Sequence, residues 1–155
     1  DKVLTMQELM DALDSNFEGP RGAEIRKMCL NVPKFGNDVD EVDELARKVS
    51  IMSAESITSW DNGPYPKFKS IREGLSWHYA AGLGVGALPN GRKAKEPLND
   101  GSASPMRGMD KNGPTAVLRS VLKANFGDHS YVQALNQKFP KSILRTDSDI
   151  EKLVD

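Results

Sequence analysis

Apolar residues recur at helical spacing through the first third of the chain. Thr5-Met6-Gln7-Glu8 has the form of a capping box, a hydroxyl at the N-cap with a carboxylate three residues on, and Met6, Leu9, Met10 and Leu13 follow on one face. A first helix of about ten residues is expected from this pattern. Gly19-Pro20 interrupts it, and a second helix is expected over 23–31, where Ile25, Met28, Cys29 and Leu30 give an apolar face and Pro33 sets the stop. Asn37-Asp38 can cap a third helix. Its first turns, Asp40-Glu41-Val42-Asp43-Glu44, are acidic as the helix dipole prefers, and Val42, Leu45, Ala46, Val49 and Met52 are the expected buried stripe.

From Thr58 the texture changes. Asn62-Gly63-Pro64-Tyr65-Pro66 is a turn cluster, and helical periodicity stops there. The stretch 75–88, small-residue and containing Trp77, His78 and Tyr79, reads as a buried strand entering the turn Leu88-Pro89-Asn90-Gly91-Arg92. The following loop, 96–112, is rich in Pro, Gly, Asn, Asp and Ser yet punctuated by Leu98, Met106 and Met109, which suits an ordered loop that serves a site. Gly113-Pro114-Thr115 opens another helix, with Val117, Leu118, Val121 and Leu122 on its apolar face. A strand is expected over 131–139, closed by Pro140, and Thr146 with Asp149 begins a last helix. The fold class expected is α/β, with a helical segment over 1–57 and strands, Gly/Pro-rich loops and helices over 58–155. No internal repeat or low-complexity tract is visible.

Composition narrows the partners. With 155 residues, 21 basic and 22 acidic side chains and a formal net charge of −1, no global field draws the chain to nucleic acid or to an anionic membrane. A small-molecule or protein partner is expected, with neither nucleic acid nor membrane. The lone cysteine, Cys29, has no internal disulfide partner, and no long apolar run or signal-peptide pattern is present, so a reduced, cytoplasmic setting fits. The first residue is Asp1, and 148–155 reads as a helix cut in its first turns, so the chain is expected to be an internal piece of a longer polypeptide.

Chemistry-bearing motifs are sparse. Gly82-Leu83-Gly84-Val85-Gly86 lacks the dinucleotide spacing, and close backbone packing explains it better than phosphate binding. The run from Asp38 to Glu41 lacks the glycine a calcium loop needs at its sixth position, where Asp43 stands. His78 and His129 are far apart and have no ligand spacing with Cys29, and no G-x-S-x-G elbow occurs, so neither a zinc site nor a hydrolase is supported. Cys29 lies on an apolar helix face and reads as an inert small hydrophobe.

Three ordered blocks carry a resemblance. The longest runs from Gly86-Ala87-Leu88-Pro89-Asn90-Gly91-Arg92-Lys93-Ala94 through Pro97-Leu98-Asn99-Asp100-Gly101 and Ser104-Pro105 to Gly108-Met109-Asp110-Lys111-Asn112-Gly113-Pro114-Thr115-Ala116-Val117. Before it stand Asn16-Phe17-Glu18-Gly19 and Pro33-Lys34-Phe35-Gly36-Asn37-Asp38, and after it Leu135-Asn136-Gln137-Lys138-Phe139-Pro140. Together they resemble the glycyl radical enzymes, the pyruvate formate-lyase-like family.

The resemblance implies a ten-stranded α/β barrel of two antiparallel half-sheets wrapped by helices, of which this chain would be a part. It also implies an enzyme in which a glycyl radical, installed by a radical SAM activating enzyme, generates a cysteine thiyl radical that attacks the substrate. The family's thiyl cysteine precedes the NFEG-like block and its glycine follows the LNxKF element, so neither falls in this chain, Cys29 does not match, and no catalytic residue or cofactor is expected here. The barrel interior nominates Ser76, Trp77, Tyr79, Pro114, Thr115, Val117 and Gln137 as substrate-pocket residues, with packing as the competing role for each; strand alternation would set Trp77 and Tyr79 on one face and Ser76 and His78 on the other. Arg92 is expected to hold its turn rather than react. The Pro-Lys-Phe-Gly-Asn-Asp block and Gln137 lean toward the fumarate-adding benzylsuccinate and alkylsuccinate synthases. The alternatives are a radical lyase such as a diol dehydratase, choline lyase or arylacetate decarboxylase, and a non-catalytic binding module derived from the family. A homodimer or hetero-oligomer of the parent is expected.

Overall fold

The computed structural model describes residues 3–60, 62–66, 68–69, 77–101, 103–124, 135–137, 139 and 145–154. Six helices are found among them: α1 (Met6–Asp14), α2 (Gly19–Asn31), α3 (Asp40–Thr58), α4 (His78–Leu83), α5 (Gly113–Ala124) and α6 (Asp147–Val154). No strand occurs among the described residues. The strand expected over 131–139 lies largely outside them, as does Ser76.

α1 starts as the sequence indicates. The Thr5 hydroxyl accepts from the Glu8 N–H at 3.2 Å and the Glu8 carboxylate accepts from the Thr5 N–H at 2.9 Å, closing a reciprocal capping box. α2 begins four positions earlier than expected, because Gly19-Pro20 opens it rather than interrupting α1; proline at a first turn forfeits no helical hydrogen bond. The two helices close on a core of Ala12, Phe17, Ile25 and Cys29, with Leu4, Leu9, Leu13 and Ala87 packed against it. The corner between them is left-handed at both Asn16 (φ 55°) and Phe17 (φ 60°), a costly conformation for a bulky aromatic residue. Burial of the Phe17 ring and a 2.7 Å hydrogen bond from its N–H to the Ala12 carbonyl hold it there. Cys29 is buried in this core, in keeping with a packing role.

α3 pairs with α5, and here one expectation is reversed. The buried positions of α3 are Asp43, Ser50 and Ala54, whereas Leu45, Val49 and Met52 face outward, Leu45 with 63% of its surface exposed. The buried positions of α5 are Ala116, Val117, Ser120 and Ala124, and Leu118 and Leu122 are exposed. Two faces of α3 have helical spacing. The one that packs carries the small side chains, which let the helix backbones approach closely and interdigitate. Asn37 and Asp38 do not cap α3 either: Val39 is its N-cap and makes no side-chain cap bond. Instead the Asp38 N–H donates to the Ser120 hydroxyl at 2.9 Å, and its carboxylate accepts from Lys123 at 2.5 Å and Arg119 at 3.3 Å, tying the start of α3 to α5.

The segment expected as a strand at 75–88 contains helix α4. Ala80 and Ala81 favour a helix, and the glycines that follow end it after six residues. α6 is entered through a second capping pair, with the Asp149 N–H donating to the Thr146 hydroxyl and the Asp149 carboxylate accepting from the Thr146 N–H at 3.0 Å.

Candidate functional site

Arg92 is the keystone of the region after α4. Only 3% exposed, its guanidinium donates to the carbonyls of Gly82 (2.8 Å), Gly86 (2.7 Å), Val85 (3.4 Å), Pro97 (3.3 Å) and Glu96. Five backbone acceptors around one planar fork fix the end of α4, the Leu88–Arg92 turn and the entry to the 96–112 loop in one unit. Arg92 therefore holds the turn, as its position in the sequence implies. Gly82 makes room for it: a Cβ there would lie 2.5 Å from the Glu96 carbonyl oxygen. The first glycine of the Gly82–Gly86 run is thus required for close backbone packing. Gly91 (φ 94°) completes the turn through its N–H to the Leu88 carbonyl at 2.9 Å.

Asn37 orders the far end of the loop. Its amide donates to the carbonyls of Met109 (2.7 Å) and Lys34 (3.1 Å), and its side-chain oxygen accepts from the N–H groups of Lys111 (2.8 Å) and Asn112 (3.1 Å). A single half-buried amide thereby ties together segments more than 70 positions apart in sequence.

Between these two anchors lies a polar cavity of about 200 Å³ lined by His78, Asp100, Ser104, Pro105, Arg107, Gly108, Asp110, Asn136 and Gln137. His78 reaches it from α4, its Nδ1 3.7 Å from the Asp100 carboxylate, and Asn136 donates to that carboxylate at 2.9 Å. The His78 Nδ1 and the Ser104 hydroxyl are buried without a hydrogen-bond partner. Buried polar atoms in folded proteins are nearly always paired, so these two mark a place where a polar group belongs. The cavity can accept a small hydrogen-bonding molecule or its hydroxyl end.

Of the residues nominated from the sequence, Gln137 lines this cavity and Tyr79 touches one of its lining residues. Arg107, itself a lining residue, donates to the Tyr79 hydroxyl at 3.1 Å and lies 5.3 Å from its ring centre. The expected strand faces do not exist, since Trp77 precedes α4 and Tyr79 is on it; both side chains are largely exposed, and the His78 side chain is the buried one of the three. Pro114 and Thr115 are exposed in the first turn of α5, and Val117 is buried in the α3 seam, away from the cavity lining. His78, Asp100 and Ser104 were missed as site residues. Asp100 and Ser104 stood inside the blocks that carried the resemblance, but nothing in their spacing to His78 predicts the encounter. Among the described residues no group of three or more His, Cys, Asp or Glu side chains is placed to hold a metal, and no helix is long and apolar enough to cross a membrane.

Known proteins match both halves of this arrangement. The family model described as pyruvate formate lyase-like matches residues 1–71, and the one described as glycine radical matches 99–155. The chain belongs to the glycyl radical enzyme family. The Arg92 unit, with α4, falls between the two matched stretches. An isethionate sulfite-lyase of Bilophila wadsworthia is 37% identical over 163 residues, covering 99% of this chain and 18% of the relative. A solved structure described for 1,2-propanediol dehydration in Roseburia inulinivorans superposes with a TM-score of 0.86 at 34% identity, covering 99% of this chain and 20% of that one. The glycerol-bound B12-independent glycerol dehydratase from Clostridium butyricum superposes with a TM-score of 0.84 at 37% identity, covering 97% of this chain and 19% of that one. The chain thus spans about a fifth of the length of these relatives. All three are lyases or dehydratases, and none is a fumarate-adding synthase.

Proposed function

We propose that the chain is part of a glycyl radical enzyme that cleaves a bond in a small, hydroxyl-bearing substrate, a radical lyase or dehydratase, and not one that adds a hydrocarbon to fumarate. The observation that carries this reading is the match of nearly the whole chain, at 34–37% identity, to proteins named for sulfite-lyase and diol or glycerol dehydration activity. The lean toward fumarate addition rested on the Pro33–Asp38 block and Gln137. In the structure both serve features that do not discriminate subtype, a loop anchor at Asn37 and a polar cavity wall. That cavity is compatible with this reading: His78, Asp100, Ser104, Arg107, Asp110 and Asn136 around it offer hydrogen-bonding partners for hydroxyl groups.

The glycyl radical supplies hydrogen abstraction when it is present. The residues of this chain hold, orient and shape: Arg92 and Asn37 fix the loop, and Tyr79, held by Arg107, and Gln137 are the nominated residues best placed to meet a polar substrate. Ser76, Trp77, Pro114 and Thr115 stay in the proposal as substrate-pocket candidates, while Val117, packed in the α3 seam, takes the competing packing role. The ten-stranded barrel, a radical SAM activating enzyme as partner, a homo- or hetero-oligomeric parent and a cytoplasmic setting belong to it as well.

The test is made with the full-length protein, activated without oxygen by a radical SAM activase and followed by electron paramagnetic resonance. A glycyl radical signal with turnover of 1,2-propanediol, glycerol or isethionate is expected. A succinate adduct from toluene and fumarate, with none of those substrates consumed, would overturn the lyase reading. If no radical forms, the enzyme reading gives way to a non-catalytic binding module.

A further inference from the structure

A second cavity, of about 240 Å³, lies on the other side of the Asn37 anchor. Its polar lining residues are Asn31, Lys34, Asn37, Lys111 and Asn112. Its lining contains two ammonium groups and two amides besides Asn37, and no carboxylate. The acidic residues nearest in sequence are engaged elsewhere: Asp38 and Asp40 accept from Lys123, and Asp110 lines the His78 cavity. The Lys34 ammonium donates to the Cys29 carbonyl at 2.5 Å and the Val32 carbonyl at 2.9 Å at the end of α2, which spends two of its three protons and leaves one. The Lys111 ammonium and the Asn31 amide make no hydrogen bond or ion pair among the described residues. Burial holds the Lys34 amine below its ordinary range, with Cys29 opposing it and the like charge of Lys111 adding a smaller push in the same direction as burial. Two cations kept near each other with no anion between them are an unfavourable arrangement that a bound anion would relieve.

The walls are also rigid where it matters. The four hydrogen bonds of the Asn37 side chain and the bond from the Asn112 amide to the Asn37 carbonyl at 2.9 Å fix the 109–112 backbone against the 31–37 backbone, so the two lysine-bearing segments cannot drift apart. A preformed cavity with spare donors from separate segments suits a ligand with several acceptor oxygens better than a spherical ion.

We propose that this cavity is a binding site for a small tetrahedral oxyanion of the phosphate class, held by Lys34, Lys111 and Asn31. It is separate from the polar cavity at His78 and does not depend on the lyase reading. Inorganic phosphate is titrated into the full-length protein by calorimetry, with sodium chloride at matched ionic strength as the reference, and repeated with sulfate and acetate. Saturable phosphate binding above the chloride background is expected. Lys111→Ala should weaken it by about tenfold or more, the loss of one charge-assisted hydrogen bond, whereas Lys111→Arg should stay within about threefold of wild type. Lys27→Ala, on the exposed face of α2, should change nothing. Lys111 is the variant of choice because Lys34 also caps the carbonyls of α2. No saturable binding, or binding that Lys111→Ala leaves intact, overturns the site. Equal response to phosphate, acetate and chloride would show general screening and overturn it too.

Discussion

The two helix pairs of this chain bury opposite things. α1, α2 and the corner between them bury large apolar side chains, Phe17 and Ile25 nearly fully, although Met6 and Met10 of α1 face out, and they carry their charge outside, where Arg21 bridges Glu8 at 2.6 Å and Glu24 at 2.7 Å. α3 and α5 do the reverse. Beside Val117 their seam holds small and polar side chains, including the buried Asp43 carboxylate 3.8 Å from the Lys123 ammonium, and Leu45, Val49, Met52, Leu118 and Leu122 face out. The first pair therefore supplies its own hydrophobic stabilisation. The second is positioned by side-chain hydrogen bonds to Asp38 and by close approach of small residues, and it leaves an apolar stripe uncovered.

The largest effect that can break this contrast is in the first pair. Ile25→Ala leaves a cavity in a closed core and should cost about 3 kcal/mol, read as lost amide protection across α1 and α2. Val49→Ala, an equally apolar truncation on the outer face of α3, should cost less than about 0.5 kcal/mol where that face meets water. Equal costs at the two positions would show that the apolar stripe of α3 is packed after all, and would remove the distinction. A smaller effect sharpens the same contrast. Thr5→Ala takes away the hydroxyl that caps α1 and should destabilise that helix by about 1 kcal/mol. α3 has no side-chain cap to lose, so Asp38→Asn should leave its first turn helical and instead loosen α5, visible as faster exchange at Ser120 and its neighbours. Fraying of the α3 start in that variant would contradict the assignment of Asp38 to α5.

How much of this was legible beforehand depends on the range of the interactions concerned. The capping boxes at Thr5 and Thr146, the proline start of α5 and the Leu88–Arg92 turn are local, set by residues within four positions of each other, and each was readable. The role of Arg92 was readable because a guanidinium in a glycine-rich turn has carbonyls to hold. α4 was misread because a short run of small residues flanked by aromatics has no decisive period, and helix and strand differ there by little. The inward face of α3 was misread for another reason: hydrophobic periodicity reports which residues avoid water in the whole assembly, whereas the packing partner within this stretch selects the small-residue face. Of the polar cavity only Gln137 was readable, and that through the resemblance rather than through spacing. His78, Ser104 and Gln137 meet only because Arg92 and Asn37 fold the intervening loop, and spacing alone carries no trace of that.

The pH response separates the two pairs most finely. Backbone and side-chain hydrogen bonds, from the Thr5 N–H first and then Arg21, lower the Glu8 carboxyl to about 2. A carboxyl depressed on folding contributes stability that is complete above its unfolded value near ~4.3 and is lost as pH falls from there through about 2. Asp38 has the same sign, lowered chiefly by the hydrogen bond from Lys123, with burial opposing and Arg119 adding to it. Lys123 has the other sign. Its hydrogen bonds to Asp38 and then Asp40 raise it above the ordinary lysine value, so its contribution is complete below about 10.4 and is lost as pH rises through the folded value. The α1/α2 tie should therefore weaken only on the acid side, since its cation is an arginine raised further by Glu24 and Glu8, while the α3/α5 tie weakens at both ends. All these groups are exposed enough for salt to screen them, so the effects are small and best read at low ionic strength. Side-chain NMR titration of Glu8, Asp38 and Lys123 tests the assignment. Lys123→Met should abolish the alkaline loosening of α5 while leaving the acid loosening of α1 in place, and an alkaline transition that survives this substitution would place the second tie elsewhere.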